Sequence, residues 1–577
     1  MPGLSPRWVF SVATPELAAA AKLLVESCAL TPAIATVLLR RGFTTTAGVQ
    51  TYLNPSLSDL LPAAQLLGLD QAVVRIRTAI ANREKILLYG DYDVDGTSAI
   101  VILKTVLDLL GASVEAFVPH RILDGYGMKE DRIREAAHSG VRLIISVDTG
   151  IRAQDVVATA SSLGIDTIVT DHHLPDAAIP PAVAVLNPNQ PGCNYPNKHL
   201  CGAGVAFKLA QGLLEASTLP AAKQQRLVES LLKIAALATV ADIVPLEGEN
   251  RAIVKLGLEG MAEVHNPGLR ALLDVSGIKP GTIPTARQVG FQIGPRINAA
   301  GRMSSASEVL ELFFTRDQAT ANRIAASLDE LNRERQQTEQ EMRESIFGEI
   351  EADSAWEQRL GLVLFGEDWH LGVAGIVAGR IAERHRKPTF VLTQVEKDGK
   401  SLVKGSGRSI PGFHLLDALE SMRELFEQFG GHEQAAGVTL TREQLPHFVD
   451  AFAAYAASRL DDESRRATIE IDEVVTIPDV GLGLYEEVQR MAPFGCKNQP
   501  PIFALLDIEV AAPPLAMKGK HLKLTTRQSG RLLILKGWNV PAAWQQLKAG
   551  DRIDAAFQLE HDSYDGWSPI LKDLRPA

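Results

Sequence analysis

The sequence predicts an α/β protein whose central domain is a parallel sheet covered by helices on both faces. From about residue 80, short β-branched apolar runs alternate with helical segments. Such near-continuous apolar runs are typical of strands that are buried on both sides of a parallel sheet. A second α/β pattern begins at "LGLVLFG", and the last hundred or so residues contain short strands and turns that favour a small β-barrel.

At roughly 100–200 residues per domain, a chain of 577 residues is expected to form several domains. Residues 316–352 contain strong helix formers and dense mixed charge, with no Gly or Pro before Gly348, which predicts one long exposed helix joining two domains. The predicted division is a helical leader (1–75), a parallel-sheet domain (76–270), a connecting segment with the long helix (271–352), a second α/β domain (353–462) and a β-barrel (463–577).

The strands and helices of the parallel-sheet domain follow one another in a regular order. "KILLY" predicts a strand, and "TSAIVILKTVLDLLG" predicts an apolar helix that ends at Gly111. The next predicted elements are the strand "SVEAFV", the helix "KEDRIREAAHSG", the strand "RLIISVD", a further helix, and the strands "DTIVTD" and "AVAVLNP".

Composition predicts a folded, soluble, cytoplasmic protein. Hydrophobic residues make up 46% of the chain, so ample surface is available for burial. Arg7, Pro15 and Glu16 interrupt the apolar N-terminal residues, which argues against a signal peptide. The apolar run "LLKIAALATVADIVPL" contains Lys233 and Asp242, and it is too short and too polar for a membrane span.

The four cysteines are too sparse to predict a disulfide framework. Cys193, His199 and Cys201 are close in sequence and could form part of a zinc site. The C-x2-C spacing and a second pair of ligands, which structural zinc sites have, are missing.

Three aspartates, Asp91, Asp93 and Asp95, alternate in "GDYDVDG" after the first predicted strand. Carboxylates this close disfavour one another's ionisation, and a multivalent cation is the usual remedy. An EF-hand loop begins with the same spacing, but it needs a Glu at position twelve, where this chain has Ile102. The motif therefore predicts an acidic loop between a strand and a helix, where open α/β sheets bind ligands.

Further acids and histidines follow later strands of the same predicted sheet. Asp148 follows "LIISV", the triplet Asp171, His172 and His173 follows "DTIVT", and "ALATVADIVPL" supplies Asp242. Any single aspartate of this kind could be only a helix cap or a turn residue. Together these residues predict a site for Mn²⁺ or Mg²⁺, because hard divalent cations prefer carboxylates with few imidazoles. The acids suffice for two ions, the arrangement that promotes in-line displacement at phosphorus.

The motifs "DYDVDG", "VDTG", "DHH" and "ADIVPL", in that order, resemble the DHH phosphoesterase superfamily. "GFQIGPRINAAGRM", "WHLGVAGIVAGRIAERHRKP", "GSGRSIPGFHL", "FGGHEQAAG" and "APFGCKNQPPIF" resemble, within it, the bacterial RecJ family of single-stranded-DNA-specific 5′ exonucleases. The resemblance extends from about residue 75 through the rest of the chain. It implies a DHH domain, a DHH-associated domain and an OB-fold domain, two Mn²⁺ or Mg²⁺ ions, and release of nucleoside 5′-monophosphates in DNA repair and recombination.

Carried over residue by residue, the resemblance implies roles in the metal centre. His173 would lie beside the scissile phosphate, Asp148 would bridge the ions, and Asp171 would orient other groups as part of the catalytic set. Asp91 would either orient a ligand or bind metal directly. The implied metal ligands are Asp91, Asp93, Asp95, Asp148, His172 and Asp242.

The resemblance also implies a substrate path, with a pocket for the 5′-phosphate, because guanidinium groups bind phosphate in a bidentate manner. Each arginine could instead form a surface ion pair, and His432 could belong to a simple Gly-rich turn. The implied substrate contacts are Arg121, Arg296, Asn298, Arg302, Ser406, Arg408 and His432.

The net charge of −11 argues against a nucleic-acid partner unless basic residues are concentrated locally. Such a concentration exists, since no acidic residue lies between Glu509 and Asp551, whereas seven basic residues do. In a small barrel this pattern favours binding of single strands, although a solvated basic surface is the simpler alternative. The candidate strand-binding residues are Lys518, Lys520, His521, Lys523 and Trp538.

The predicted partner is single-stranded DNA, and the chain is expected to act as a monomer without a membrane. The family role adds a single-strand-binding protein and a helicase as candidate partners. Two other functions remain open: a DHH phosphatase or oligoribonuclease acting on small substrates, and a DNA-binding scaffold with a dead site. The basic stretch argues against the first, and the complete set of metal-ligand positions argues against the second.

Overall fold

The computed structural model describes residues 6–11, 14–121, 124–125, 127–352, 355–397, 399–463, 465–562 and 564–577. The predicted domain boundaries at residues 1 and 353 lie outside the described residues. The described strands are β1 Arg7–Phe10, β2 Lys85–Tyr89, β3 Ser113–Phe117, β4 Val141–Val147, β5 Asp166–Thr170, β6 Ala184–Leu186, β7 Leu362–Gly366, β8 Thr389–Lys397, β9 Lys400–Arg408, β10 Gln428–Gly431, β11 Ala435–Thr441, β12 Thr468–Ile471, β13 Glu473–Val474, β14 Phe503–Val510, β15 Leu515–Met517, β16 His521–Gln528, β17 Arg531–Gly537, β18 Arg552–Asp562 and β19 Gly566–Pro576.

Helices connect and cover these strands. The described α-helices are α1 Pro15–Cys28, α2 Pro32–Arg40, α3 Thr46–Leu53, α4 Leu69–Ala81, α5 Val94–Leu109, α6 Glu130–His138, α7 Gln154–Ser162, α8 Gly202–Glu215, α9 Ala221–Ala241, α10 Gly248–Gly260, α11 Pro267–Val275, α12 Ala286–Gln288, α13 Gly294–Met303, α14 Ser307–Phe314, α15 Gln318–Ala352, α16 Ala355–Gln358, α17 Leu371–His385, α18 Leu415–Glu420, α19 Leu445–Arg459 and α20 Leu482–Arg490. A π-helical turn, Val289–Ile293, joins α12 to α13.

The predicted parallel sheet is confirmed. Among the described strands its order is β3-β2-β4-β5-β6, and every neighbouring pair is parallel. Helices α5 and α8 pack into the large core on one face, whereas α6 and α7 contribute to a smaller core on the other. All the strands therefore end at the same edge of the sheet, which is where the acidic motifs lie.

The second α/β unit has a mixed sheet. Described strands follow the order β10-β11-β9-β8-β7, in which β7 and β8 are parallel and the other pairs are antiparallel. In the C-terminal part, described strands follow the order β13-β14-β18-β19-β17-β16-β15, and β14 also pairs with β16. These pairings agree with the predicted small β-domain.

The long helix α15 differs from the prediction in one respect. It begins and ends close to the predicted limits, but it is not exposed all round. Ala321, Ile324, Ala325 and Leu328 are buried against the large core, and their spacing of three and four residues forms one apolar stripe. The dense charge of this segment conceals that stripe in the sequence.

The N-terminal helices pack against the C-terminal domain. Residues of α1, α2 and α3 share one hydrophobic core with β14, β16, β17 and β18, and β1 pairs in parallel with β12. The Tyr52 hydroxyl donates a hydrogen bond of 2.8 Å to Asn498 Oδ1. Arg251 joins this unit to the parallel-sheet domain, because its guanidinium donates to the carbonyl oxygens of Tyr52 (2.7 Å) and Ala492 (2.8 Å).

Within the described residues, no single helix is both long and apolar enough to cross a membrane. Helices α1 and α2, which meet at a bend of 116°, pass that length and composition test only as a pair.

A fully buried ion pair lies under the parallel sheet. The Lys208 ammonium is 2.5 Å from Glu249 Oε1, and neither side chain is exposed. The Tyr195 hydroxyl donates to Glu249 Oε2 (2.8 Å), and Lys208 donates to the Leu61 carbonyl (2.7 Å). The pair therefore ties the segment before α4 to helices α8 and α10.

Replacing Lys208 by Met should lower the free energy of unfolding by about 3–5 kcal/mol, because it leaves the Glu249 carboxylate buried without its cation. Lys572→Met is the matched control. Its pair with Glu560 is one third exposed and should contribute about 0–1 kcal/mol. Urea unfolding followed by circular dichroism measures both. Equal losses in the two variants would contradict this account.

Candidate metal centre and phosphate pocket

The structure brings the six predicted metal ligands together beside the carboxyl edge of the parallel sheet. Asp242, which the sequence predicted to follow a strand, instead caps the C-terminal end of helix α9. Their side-chain ligand atoms form close groups, within each of which all atoms lie within 4.8 Å of one another. The groups are Asp91 with Asp93 and Asp148, Asp95 with His172 and Asp242, and Asp148 with His172 and His173.

Backbone N–H groups hold two of the acids of the "GDYDVDG" loop. Asp93 caps α5, since its Oδ1 accepts hydrogen bonds from the N–H groups of Asp95 (2.9 Å) and Gly96 (3.1 Å). Asp95 accepts from the N–H groups of Gly202 (2.6 Å) and Ala203 (2.7 Å). Those two residues open helix α8, whose positive N-terminal dipole favours a carboxylate there. The helix-cap role is thus real for Asp93, and it leaves the second carboxylate oxygen for another partner.

Asp148 and Asp91 keep carboxylate oxygens unused. Asp148 follows β4 with φ 57, in the left-handed region that aspartate tolerates better than most residues. Its Oδ1 lies 3.2 Å from His172 Nε2. Oδ1 of Asp91 and Oδ1 of Asp148 are both buried and have no hydrogen-bond partner among the described residues. Buried acceptors of this kind fit a cation.

The electrostatics of the acids support the same conclusion. Burial, followed by the charge of Asp93, raises the pKa of Asp91 well above its ordinary range. The pKa of Asp148 is also raised well above its ordinary range, by burial and then by the neighbouring carboxylates, of which Asp95 has the largest effect. Burial, followed by Asp95 and Asp93, raises the pKa of Asp242 to about 9. Each carboxylate is unfavourable here unless positive charge compensates it.

The two histidines of the triplet have different environments. Burial lowers the pKa of His172, which favours the neutral imidazole that metals bind. Burial also disfavours the charged form of His173. The hydrogen bond and charge of Asp171 outweigh that effect, so the pKa of His173 lies above its usual value. His173 Nδ1 donates to Asp171 Oδ1 over 2.7 Å.

Both carboxylate oxygens of Asp171 accept hydrogen bonds, from its own loop after β5 and from the loop after β4. Its Oδ1 also accepts from the N–H groups of His172 (2.7 Å) and His173 (3.1 Å), and its Oδ2 accepts from the N–H of Ile151 (2.9 Å). Burial acts to raise the pKa of Asp171, but the hydrogen bond from His173 and these donors lower it overall.

Sequence reasoning missed two asparagines after β6. Asn187 Nδ2 donates to the His173 carbonyl (2.8 Å), and Asn189 Nδ2 donates to the His172 carbonyl (2.9 Å). They fix the backbone of the triplet. The only signal was their place in "LNPNQ", directly after a strand of the same sheet.

The alternative zinc site gains no support. Cys201 caps α8, and its Sγ accepts from the N–H of Gly204 (3.4 Å), while His199 is exposed. Among the described residues, no group of potential ligand atoms close enough to hold a metal includes Cys193, His199 or Cys201.

Arginines from three segments approach one another beside the acidic centre. Burial, followed by the charges of Arg121, Arg335 and Arg408, lowers the pKa of Arg302 to about 9. Arg302 Nη1 donates to the Gly372 carbonyl (2.8 Å), and Arg408 Nη1 donates to the Gly407 carbonyl (2.8 Å). Clustered guanidinium groups with carbonyl partners are suited to an anion.

Helix α17 and strand β9 form the wall of this arginine cluster. Ser406 and Arg408 are two residues apart on β9 and so share one face of the sheet. Gly375 of α17 leaves room for Arg408, since an added Cβ would lie 2.8 Å from Nη2. Arg121 stacks over Tyr92, with its guanidinium carbon 4.8 Å from the ring centroid.

Arg296, Asn298 and His432 lie in other environments. The Arg296 guanidinium is paired with Asp329, at 2.8 Å from Nη2 to Oδ1. Asn298 Oδ1 accepts from the N–H of Val94 (3.1 Å), at the start of α5. His432 is exposed, and burial, followed by the positive charges of Arg152 and His173, lowers its pKa. His432 therefore lies within electrostatic range of the triplet.

The basic stretch of the C-terminal domain is less positive than its sequence suggests. Lys536 is buried between Asp562 (2.7 Å) and Asp565 (2.8 Å), and Arg527 pairs with Glu509 (3.2 Å). Lys518, Lys520 and Trp538 are exposed, and Lys523 and His521 are half-buried. The His521 ring meets Trp538 edge-on, with centroids 5.1 Å apart.

Comparison with known proteins agrees with this architecture. The chain matches models of the DHH family N-terminal domain (residues 85–239), the DHHA1 domain (359–458) and the RecJ OB domain (471–570). It is 36% identical to the single-stranded-DNA-specific exonuclease RecJ of Bacillus subtilis, over 93% of this chain and 67% of that protein. It is 32% identical to RecJ of Escherichia coli, over 94% of this chain and 96% of that protein. The chain belongs to the RecJ family.

Solved RecJ structures have the same fold. The structure of Thermus thermophilus RecJ in complex with Mn²⁺ has a TM-score of 0.83 at 30% identity, over 99% of this chain and 80% of that one. A further RecJ exonuclease bound to manganese has a TM-score of 0.59 at 35% identity, over 70% of this chain and 97% of that one. The predicted fold class of three family domains is confirmed.

Gly202 allows helix α8 to approach the metal centre. A Cβ at this position would lie 2.5 Å from the Cβ of Asp148 and 2.6 Å from its Oδ1, so Gly202→Ala should displace α8 and Asp148. We expect a lower melting temperature, equivalent to about 1–3 kcal/mol. Gly348→Ala, on an exposed turn of α15 with nothing near the added Cβ, should leave stability unchanged or raise it by up to ~1 kcal/mol. Equal stability of Gly202→Ala and the parent would contradict the close approach.

Proposed function

We propose that this chain is a Mn²⁺- or Mg²⁺-dependent 5′→3′ exonuclease that degrades single-stranded DNA to nucleoside 5′-monophosphates. One observation carries the proposal: a buried group of carboxylates and imidazoles adjoins a cluster of arginines. The first suits divalent cations, and the second suits a phosphate. Relatives named single-stranded-DNA-specific exonucleases support the same activity.

The side chains would provide places for two ions. The groups Asp91–Asp93–Asp148 and Asp95–His172–Asp242 share no residue, and Asp148 lies close enough to His172 to serve both. When bound, the ions would supply Lewis acidity and charge neutralisation at the scissile phosphate. The unused oxygens of Asp91 and Asp148 fit this assignment.

His173 would contact the substrate, whereas Asp171 would hold the loop that carries His173. We assign His173 to the scissile phosphate, where its protonated ring would donate to a phosphate oxygen and offset negative charge. Asp171 would hold the Nδ1 proton and fix the ring plane, so it would act by orientation and not as an acid or base.

The arginine cluster would recognise the 5′ end. Arg302, Ser406 and Arg408 would bind the terminal phosphate, with Arg121 closing over it from the parallel-sheet domain. Arg296 and Asn298 already have protein partners, so we propose that they support the wall of the pocket. His432 would contact the DNA backbone near the triplet. An end-binding pocket beside the metal centre accounts for cleavage one nucleotide at a time.

The remaining assignments are proposals that follow from the family role. The division at residues 75, 270, 352 and 462 would separate the leader, the DHH domain, the connecting segment, the DHH-associated domain and the OB domain. Lys518, Lys520, His521, Lys523 and Trp538 would bind the strand beyond the cleft. We also propose that the protein is a cytoplasmic monomer. Its partners would be a single-strand-binding protein and a helicase.

The polarity of digestion tests the activity. Two identical 30-nucleotide strands, labelled at the 5′ or the 3′ end, are incubated with the protein and Mn²⁺. We expect immediate labelled mononucleotide from the first strand and a descending ladder from the second, both abolished by a chelator. Binding without shortening would instead favour the scaffold alternative, and faster cleavage of dinucleotides than of long strands would favour a small-substrate enzyme.

The phosphate pocket is tested by Arg408→Ala. Loss of a charge-assisted contact should raise KM for 5′-phosphorylated DNA by about 10- to 100-fold, while KM for 5′-hydroxyl DNA should stay near the parent value. Arg442→Ala is the matched control, since this exposed arginine of the same domain pairs with Glu367. An unchanged ratio between the two substrates in Arg408→Ala would place the pocket elsewhere.

A further inference from the structure

Two large apolar side chains are exposed at one side of the acidic centre. Ile243 is 72% exposed and Phe291 is 69% exposed. Single exposed apolar residues are common on protein surfaces, so exposure alone means little. The backbone conformation of these two residues and their place beside the acidic centre distinguish them from the other exposed apolar residues.

Both residues lie in unfavourable backbone conformations. Ile243 has φ 58, in the left-handed region where a β-branched residue is strongly disfavoured. Phe291 lies in the π-helical turn Val289–Ile293, and such rare turns are frequent at functional sites. Both apolar side chains face solvent beside the acidic centre.

The π-helical turn is wedged between two elements that carry candidate metal ligands. An added Cβ at Gly290 would lie 3.9 Å from Val240, and one at Gly294 would lie 3.6 Å from Ala241. Val240 and Ala241 end α9 and directly precede Asp242 and Ile243. The Cβ at Gly294 would also lie 3.9 Å from the side chain of Val94, the residue between Asp93 and Asp95 in the sequence.

Helix α13 then runs from this turn along the metal loop to the arginine cluster. Asn298 accepts from the N–H of Val94, and a Cβ added at Gly301 would lie 2.8 Å from the Tyr92 carbonyl oxygen. Arg302 follows. At 1.5 Å per residue, about 16 Å of helix separates Phe291 from Arg302. The loop that carries Asp91, Asp93 and Asp95 contacts this helix between its two ends.

We propose that Phe291, with Ile243 beside it, is a stacking platform for the first bases on the 3′ side of the scissile phosphate. The proposal rests on the proposed function, because a terminal phosphate at Arg302 places the remaining strand on the side of Phe291. Every base has a π face, so such a platform binds without sequence preference. A base can reach it only after leaving its neighbours in a stack, which favours single strands.

Kinetic discrimination between intact and abasic DNA tests this platform. The substrates are 5′-phosphorylated strands that are intact or lack the base of the second or third nucleotide. The parent should prefer the intact strand by about 10-fold in kcat/KM. Phe291→Ala should lose this preference, and Phe291→Tyr should retain it. Leu23→Ala, a similarly exposed side chain on α1, is the control and should match the parent.

Ile243→Gly separates a substrate contact from a structural role. Glycine adopts positive φ without strain, so the melting temperature should stay equal or rise, while KM for intact DNA increases. A lower melting temperature with unchanged KM would overturn the role of Ile243.

A binding measurement keeps the inference separate from the activity. Strands carrying 2-aminopurine at the third or the twelfth nucleotide are bound to the protein in the presence of a chelator. Phe291→Ala should change the fluorescence of the third position only. This result from a parent that also fails to digest DNA when Mn²⁺ is supplied would refute the proposed function and retain the platform. Identical fluorescence, or an unchanged preference for intact over abasic strands, in parent and Phe291→Ala would overturn the platform.

Discussion

The mutual repulsion of buried carboxylates is the constraint on which this structure depends. Parallel strands deliver Asp91, Asp148 and Asp171 to one edge of the sheet, and α9 adds Asp242. The surrounding elements then supply positive partial charge: the first turn of α8 faces Asp95, and a ring of donors surrounds Asp171. These donors compensate only part of the charge, which leaves the centre arranged for cations.

The arginine cluster is the electrostatic complement of this centre. Arg302, Arg408 and Arg121 come from separate segments of the chain, and burial, followed by the charge of Arg121, lowers the pKa of both Arg302 and Arg408. The phosphates of a nucleic-acid strand are negatively charged. They can pair with the arginines directly, and they can interact with the acidic residues through cations bound between them. A net charge of −11 is therefore compatible with a nucleic-acid substrate.

The sequence could predict those elements of the fold and the site that depend on the pattern of neighbouring residues. Strand β2 and helix α5 could be predicted because an apolar run and a helical run meet at the acidic loop. The positions of Asp91, Asp148 and Asp171 could be predicted because the strand ends share one edge, whereas Asp242 ends helix α9 and not a strand. Tertiary contacts decided the rest. The buried stripe of α15 was concealed by its charges. The pairing of Arg296 with Asp329 and the donors Asn187 and Asn189 depend on segments that only the folded chain brings together.

The shared core of the N-terminal helices and the C-terminal domain has a consequence for synthesis. Tyr52 donates to the carbonyl of Met491, which lies 439 positions further along the chain. At ribosomal rates of about 5–20 residues per second, this partner emerges roughly 20 to 90 s later. During that time, the apolar faces of helices α1 to α3 that pack against the C-terminal domain stay exposed to solvent. This segment is therefore expected to bind chaperones during synthesis. The DHH and DHHA1 domains, whose strands pair within short stretches of sequence, can fold in the meantime.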